Sequence, residues 1–93
     1  MSLPRVTFYS HFTKFTRGEK ETEIAGANVS QVIDGLVLKY GDTFRTRLLN
    51  DGGGLKEFVH VFLNNKDIRL IGNLDAATLP DDQLLFVPAV AGG

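Results

Sequence analysis

The sequence predicts a small α+β domain, on three observations. Arg5-Val6-Thr7-Phe8-Tyr9-Ser10 alternates polar and apolar residues at the two-residue period of a strand, and Phe58-Val59-His60-Val61-Phe62-Leu63 is the strongest run of strand-favouring residues. One stretch, Val29 to Tyr40, repeats its apolar residues every three or four positions, the period of an amphipathic helix. A further apolar run, Leu84-Leu85-Phe86-Val87, ends at a proline close to the C-terminus. A single helix laid on one face of a mixed sheet is the economical way to bury these stripes together.

The elements follow in chain order. Val6 and Phe8 are expected to face inward from the first strand. His11 to Lys20 is polar around Phe12 and Phe15 and contains Arg17-Gly18, a turn signal. Glu21-Thr22-Glu23-Ile24 reads as a second strand, making an N-terminal hairpin. Asn28 is suited to cap the helix and Gln31, three residues on, completes a capping-box pattern worth about 1 kcal/mol. Val29, Val32, Ile33, Leu36, Val37 and Tyr40 form the buried stripe. Gly35 within it costs about 1 kcal/mol relative to alanine and suggests a close approach to a strand. Gly41 is a natural stop.

Asp42 to Asn50 places Phe44, Leu48 and Leu49 at helical intervals and predicts a short second helix with Arg45 and Arg47 in water. Asp51-Gly52-Gly53-Gly54 has little side chain and reads as a flexible loop. It lacks the G-x-x-x-x-G-K-[ST] spacing of a phosphate loop and follows no strand, so a nucleotide site is not expected there. In the strongest strand, Phe58 to Leu63, Val59, Val61 and Leu63 share one face and Phe58, His60 and Phe62 the other. Asn64-Asn65-Lys66-Asp67 predicts a turn, Ile68-Arg69-Leu70 a brief return strand, and Leu74 to Leu79 a short helical turn. Pro80 fits a type I turn over Leu79-Pro80-Asp81-Asp82. The last strand, Leu84 to Val87, is expected to turn Leu84 and Phe86 inward and Leu85 and Val87 outward.

Ninety-three residues make one domain, with 43% hydrophobic and 23% charged residues, an ordinary globular balance. A net charge of −1 gives no electrostatic reason to expect nucleic acid or an anionic membrane as partner. No run approaches the roughly 18 apolar residues of a membrane span, and the start lacks a secretion-signal pattern, so a cytoplasmic protein is expected. There is no cysteine, which removes disulfides, thiolate metal sites and thiol nucleophiles. His11 and His60 are the only histidines and have no metal-ligand spacing. Asp81-Asp82 is more simply a solvated turn than a catalytic pair. No enzyme activity, no bound cofactor and no metal are expected.

The end of the chain is unlike the rest. After Pro88, which has no N–H for a sheet ladder, the side chains shrink through Ala89, Val90, Ala91, Gly92 and Gly93. Six extended residues reach about 20 Å, and the terminal glycines can pass a channel too narrow for a side chain. Residues 1–87 therefore read as the domain and 88–93 as a flexible tail. On the outward sheet face, His60, Phe62, Leu85 and Val87 are expected to form a partner surface near the tail's exit.

The stretch Leu79 to Gly93, with its acidic turn, apolar strand, proline and Gly-Gly end, resembles the MoaD/ThiS sulfur-carrier family. Phe58 to Arg69 is similar to that family's central strand and Asn-containing turn, and closest to its cysteine-biosynthesis branch. The resemblance implies the β-grasp, or ubiquitin-like, fold. It also implies a carboxylate at Gly93 that an E1-like enzyme adenylates with ATP and, using a sulfur donor, converts to a thiocarboxylate. With no cysteine in the chain, sulfur could only be carried on that terminus. The acceptors in the family are amino-acid precursors, thiamine thiazole, molybdopterin or a siderophore, with the amino-acid type preferred here. That choice implies a pyridoxal-phosphate-dependent synthase as a partner and a metalloprotease to free the product. Two alternatives stay open: a ubiquitin-like modifier joined through Gly93 to target lysines, and a plain interaction module.

Overall fold

The structure is a computed structural model that describes residues 3–88. Five strands form one sheet: β1 (Arg5–Phe8), β2 (Glu21–Glu23), β3 (Val59–Leu63), β4 (Lys66–Asp67) and β5 (Gln83–Pro88). Their order across the sheet is β2-β1-β5-β3-β4, and only β1 and β5 run parallel. Two helices, α1 (Val29–Tyr40) and α2 (Asp42–Leu48), complete the expected α+β composition.

The expected inward parity holds in β1, β3 and β5. Val6, Phe8, Val59, Val61, Leu63, Leu84 and Phe86 are buried with Val29, Val32, Ile33, Leu36 and Val37 of α1 and Phe44 and Leu48 of α2. Asn28 caps α1, its Oδ1 accepting from the Gln31 N–H at 2.8 Å, while Gln31 Oε1 accepts from the Ala27 N–H at 2.8 Å, one residue before the cap. A Cβ on Gly35 would lie 2.6 Å from Cγ2 of Ile24, so the helix passes the end of β2 too closely for any side chain. Gly41, at φ 99°, ends α1 and opens α2, a turn that an L side chain would strain.

Phe8, Phe12, Tyr40, Phe44 and Phe86 form one aromatic cluster with ring centroids 5.7–6.4 Å apart. Phe12 joins it because Ser10–Phe15 is a 3-10 helix, where the sequence shows only a polar connection. At the rim of the cluster the Tyr40 hydroxyl donates to Glu19 Oε1 at 2.6 Å, and Lys39 Nζ lies 3.2 Å from that oxygen. Burial, then this hydrogen bond, push the Tyr40 phenol up to about 12 from its ordinary 10.0. The same hydrogen bond, followed by that from Lys39, holds the Glu19 carboxyl below its usual value. Folding thus favours the protonated phenol. Its contribution is complete below about pH 10 and is lost as pH rises through about 12. Denaturant midpoints should therefore fall more steeply over that interval in the wild type than in Tyr40→Phe.

Four local expectations are corrected. Ile68–Leu70 is a 3-10 turn, and the return strand is Lys66–Asp67 instead. Asp67 Oδ1 accepts from the Arg69 N–H at 2.9 Å, which closes the turn and drives Ile68 into the core. Leu74 to Leu79 is not a helical turn as a whole: the 3-10 turn covers Asn73–Asp75, and Ala77 bridges to Asn28. Asp81 has φ 72°, which gives Leu79 to Asp82 the backbone of a type II turn rather than type I. The glycine loop is held by Asn50, which accepts from Gly52 and Gly54 N–H on its Oδ1 at 3.0 and 3.1 Å and from Gly53 N–H on its carbonyl at 2.9 Å. Those three N–H groups are therefore already occupied, in keeping with the absence of a phosphate-loop pattern.

Candidate functional site

The face of the sheet turned away from the helices is the candidate site. Its centre follows from register: in the antiparallel pair β3·β5, His60 lies opposite Val87 and Phe62 opposite Leu85. Opposed residues share a face and sit with Cβ atoms about 4.5–5.5 Å apart, so these four side chains form one two-by-two patch. All four are half-buried, unlike Val61, Leu84 and Phe86 on the other face. The His60 and Phe62 rings stack at 6.4 Å with an interplanar angle of 26°. The structure thus brings together the four residues expected from the sequence.

Neighbours extend the patch. Thr7 of β1 lies opposite Leu85 in the parallel pair, and Asp67 of β4 lies opposite Phe62. Beyond Thr7 the edge strand β2 carries Glu21 and Glu23, each near Arg5 at 3.9 and 3.8 Å. These exposed pairs contribute at most about 1 kcal/mol each. Tyr9 continues beside the end of β5, its N–H donating to Phe86 O at 3.1 Å, and is 53% exposed. Phe58, one residue before β3, is 60% exposed. The apolar surface therefore continues toward the place where β5 ends.

Two residues at this face were not singled out by sequence. Arg69 and Asp67 both approach His60: Arg69 Nη1 lies 3.5 Å and Asp67 Oδ2 3.8 Å from His60 Nδ1. The readable sign was Asp67-x-Arg69, an Asp that can hydrogen-bond the N–H two residues on and so turn the chain. What the spacing could not supply was the long-range reach of the arginine side chain.

β5 includes Pro88, the last of the described residues, whose partner is Val59, so the strand runs one residue past the expected end at Val87. The tail residues Ala89, Val90, Ala91, Gly92 and Gly93 lie outside the described residues. Among the described residues no group of three or more His, Asp or Glu side chains could hold a metal ion, and no helix is long and apolar enough to cross a membrane. A cleft of about 610 Å³ is lined by residues that include Arg45, Asn50, Asp51 and Lys56, none of them in the patch. It carries no arrangement of catalytic groups.

Comparison with known proteins decides the family. The sequence model described as "ThiS family" matches residues 6–93. The chain belongs to the ThiS family. A curated relative, "Sulfur carrier protein CysO" of Mycobacterium tuberculosis, is 34% identical over 79 residues, which is 84% of this chain and 85% of the relative. Among solved structures, a chain of the Amycolatopsis orientalis BexX/CysO complex superposes with a TM-score of 0.89 at 33% identity, covering 97% of this chain and 99% of that one. SAMP1 of Haloferax volcanii superposes with a TM-score of 0.81 at 22% identity, covering 97% and 98%, a likeness of fold alone. The strand order and helix placement of this ThiS-family chain are accordingly those of the β-grasp, ubiquitin-like fold. In the Amycolatopsis structure a CysO is seen in complex with another protein.

Proposed function

We propose that this chain is a sulfur carrier of the cysteine-biosynthesis type and a substrate of enzymes rather than one itself. The observation that carries the reading is the 34% identity, over most of both chains, to proteins named as the sulfur carrier CysO. An oxygen of the Gly93 carboxylate attacks the α-phosphorus of ATP bound to an E1-like enzyme, and pyrophosphate leaves. Sulfide then attacks the acyl carbon, and AMP departs with the electron pair of its bond to that carbon, leaving a thiocarboxylate and a proton. The domain itself needs no ATP site, because the activating enzyme supplies it.

In this reading His60, Phe62, Leu85 and Val87 dock against the activating enzyme. Pro88 releases Ala89, Val90, Ala91 and Gly92 as the thread that carries Gly93 to the reacting centre. Apolar patches ringed by polar groups, such as this one, mark protein contacts. The acceptor is then an amino-acid precursor held by a pyridoxal-phosphate enzyme, with a metalloprotease freeing the product.

The test is intact mass after incubation with ATP, the organism's own E1-like enzyme and sulfide. The expected product is heavier by the difference between one sulfur and one oxygen. The second reading, a modifier attached to lysines through Gly93, shares the tail and its activation. SAMP1 and Urm1 structures superpose on this chain at 20–22% identity, a likeness of fold alone. High-mass lysine adducts in cells, with no thiocarboxylate form of the chain, would decide for it.

A further inference from the structure

Charge is divided between the two ends of the domain. β1 runs parallel to β5 and β3 antiparallel, so the connection from β1 to β2 and the approach to β3 both lie at the end where β5 stops. The 3-10 helix Ser10–Phe15 packs there, with the Phe12 ring 6.4 Å from that of Phe86. α2 joins it through Phe44, and Arg47 Cζ lies 5.0 Å from the centre of the Phe15 ring. The loop into β3 is tied at the same end. Lys56 N–H donates to Leu48 O at 3.0 Å, and Lys56 O accepts from the Val59 N–H at 3.0 Å and from Arg69 Nη2 at 2.8 Å. Arg45 and Lys56 then line one cleft.

Residues 10–20 and 39–58, which build this end, carry seven Lys and Arg against four Asp and Glu, whereas the rest of the chain carries three against seven. The far end is marked by Arg5 N–H donating to Asp82 O at 2.8 Å and Val29 N–H to Ala76 O at 3.0 Å. Its connections, 24–28 and 71–82, hold Asp75, Asp81 and Asp82 and no Lys or Arg. A net charge of −1 thus conceals a positive end and a negative end. Lys14, Arg45 and Arg47 are exposed, and among the described residues neither they nor Lys56 form an ion pair. The dipole of α2 accounts for Arg45 and Arg47 in its last turn, but not for Lys14 and Lys56 beside them.

We infer that Lys14, Arg45, Arg47 and Lys56 form a steering surface for an acidic region of the activating enzyme, so that the domain approaches with the end of β5 foremost. The inference rests on the sulfur-carrier reading above. The occupant follows from charge complementarity. A long polyanion such as nucleic acid would reach both ends of the domain, and a chain of net charge −1 gains little from it. A local acidic surface on a protein attracts one end and repels the other. Such charges act over about 10 Å at 0.1 M salt, so they raise the rate of encounter without touching the partner. None of the four belongs to the patch of His60, Phe62, Leu85 and Val87, whose apolar contacts govern the lifetime of the complex.

The experiment measures kon and koff of full-length wild type, Lys14→Gln/Arg45→Gln and Lys66→Glu on the organism's E1-like enzyme, between about 0.02 and 0.5 M salt. The two variants change net charge equally, but Lys66 lies toward the far end, opposite Leu63. Every replaced side chain is exposed, so melting temperatures should stay within about 4 °C of the wild type. At the lower salt, Lys14→Gln/Arg45→Gln should lose about fivefold in kon with koff changed less than about twofold, and the loss should vanish at the higher salt. Lys66→Glu should keep kon within about twofold of the wild type. Unchanged kon in the double variant would overturn the inference. So would an equal loss in Lys66→Glu, which would make net charge rather than its placement the cause. A koff that rises as much as kon falls would also overturn it, by making these residues direct contacts. Tighter binding of the wild type to a single-stranded DNA oligonucleotide than to the enzyme would overturn it in favour of nucleic acid. Absence of any wild-type binding to the enzyme would instead overturn the sulfur-carrier reading.

Discussion

Removing Gly92 and Gly93 should abolish the exchange of oxygen for sulfur while leaving the domain's melting temperature within about 4 °C of the wild type. The two effects separate because they depend on different parts of the chain. Among the described residues the buried cluster ends at Phe86 and the last ladder pair is Val59 with Pro88. The acyl group at Gly93 is needed only by the chemistry. The truncated chain would still carry Phe62, Leu85 and Val87, so it should bind the activating enzyme and compete with the wild type. Intact mass, thermal melting and a competition assay check the three parts. Retention of the sulfur-for-oxygen exchange in the truncated chain would remove the proposed function.

Phe44→Ala should be the most damaging single change to the fold, lowering the unfolding free energy by about 3–5 kcal/mol. Phe44 is fully buried and its ring meets those of Phe8, Phe12, Tyr40 and Phe86 at 5.7–6.4 Å. It is the residue through which α2 joins the end of α1 to the two central strands. Truncation leaves a cavity bounded by four aromatic rings that cannot all move inward, so the loss should fall at the upper part of the range. Small domains have about 5–15 kcal/mol in total, so chemical denaturation should show a large drop in midpoint with little change in slope. A loss under about 1 kcal/mol would mean that the cluster repacks.

Residues whose fate is set by period were legible without coordinates. Val6, Phe8, Val59, Val61, Leu63, Leu84 and Phe86 all point inward because strand parity leaves no other choice once one of them is buried. The patch of His60, Phe62, Leu85 and Val87 followed from the same rule read on the opposite face. The β-grasp topology was reached through likeness of the final third to a family, since no periodicity says that β5 inserts between β1 and β3. Where the reading failed, local side-chain hydrogen bonds had outweighed pattern. Asp67 turned Ile68–Leu70 into a 3-10 turn, and Asn50 gathered the glycine loop that looked unstructured. Arg69 stayed hidden because its partner carbonyl is 13 residues earlier in the chain.

The last of the described strands, β5, is also the middle of the sheet, flanked by β1 on one side and β3 on the other. During synthesis it is the last to emerge, so the first four strands must wait for it before they can share a sheet. A chain stopped before Gln83 would lack the strand that joins the others. Among the described strands the pairs β1·β2 and β3·β4 meet only through β5, so its loss would leave two separate hairpins in place of one sheet.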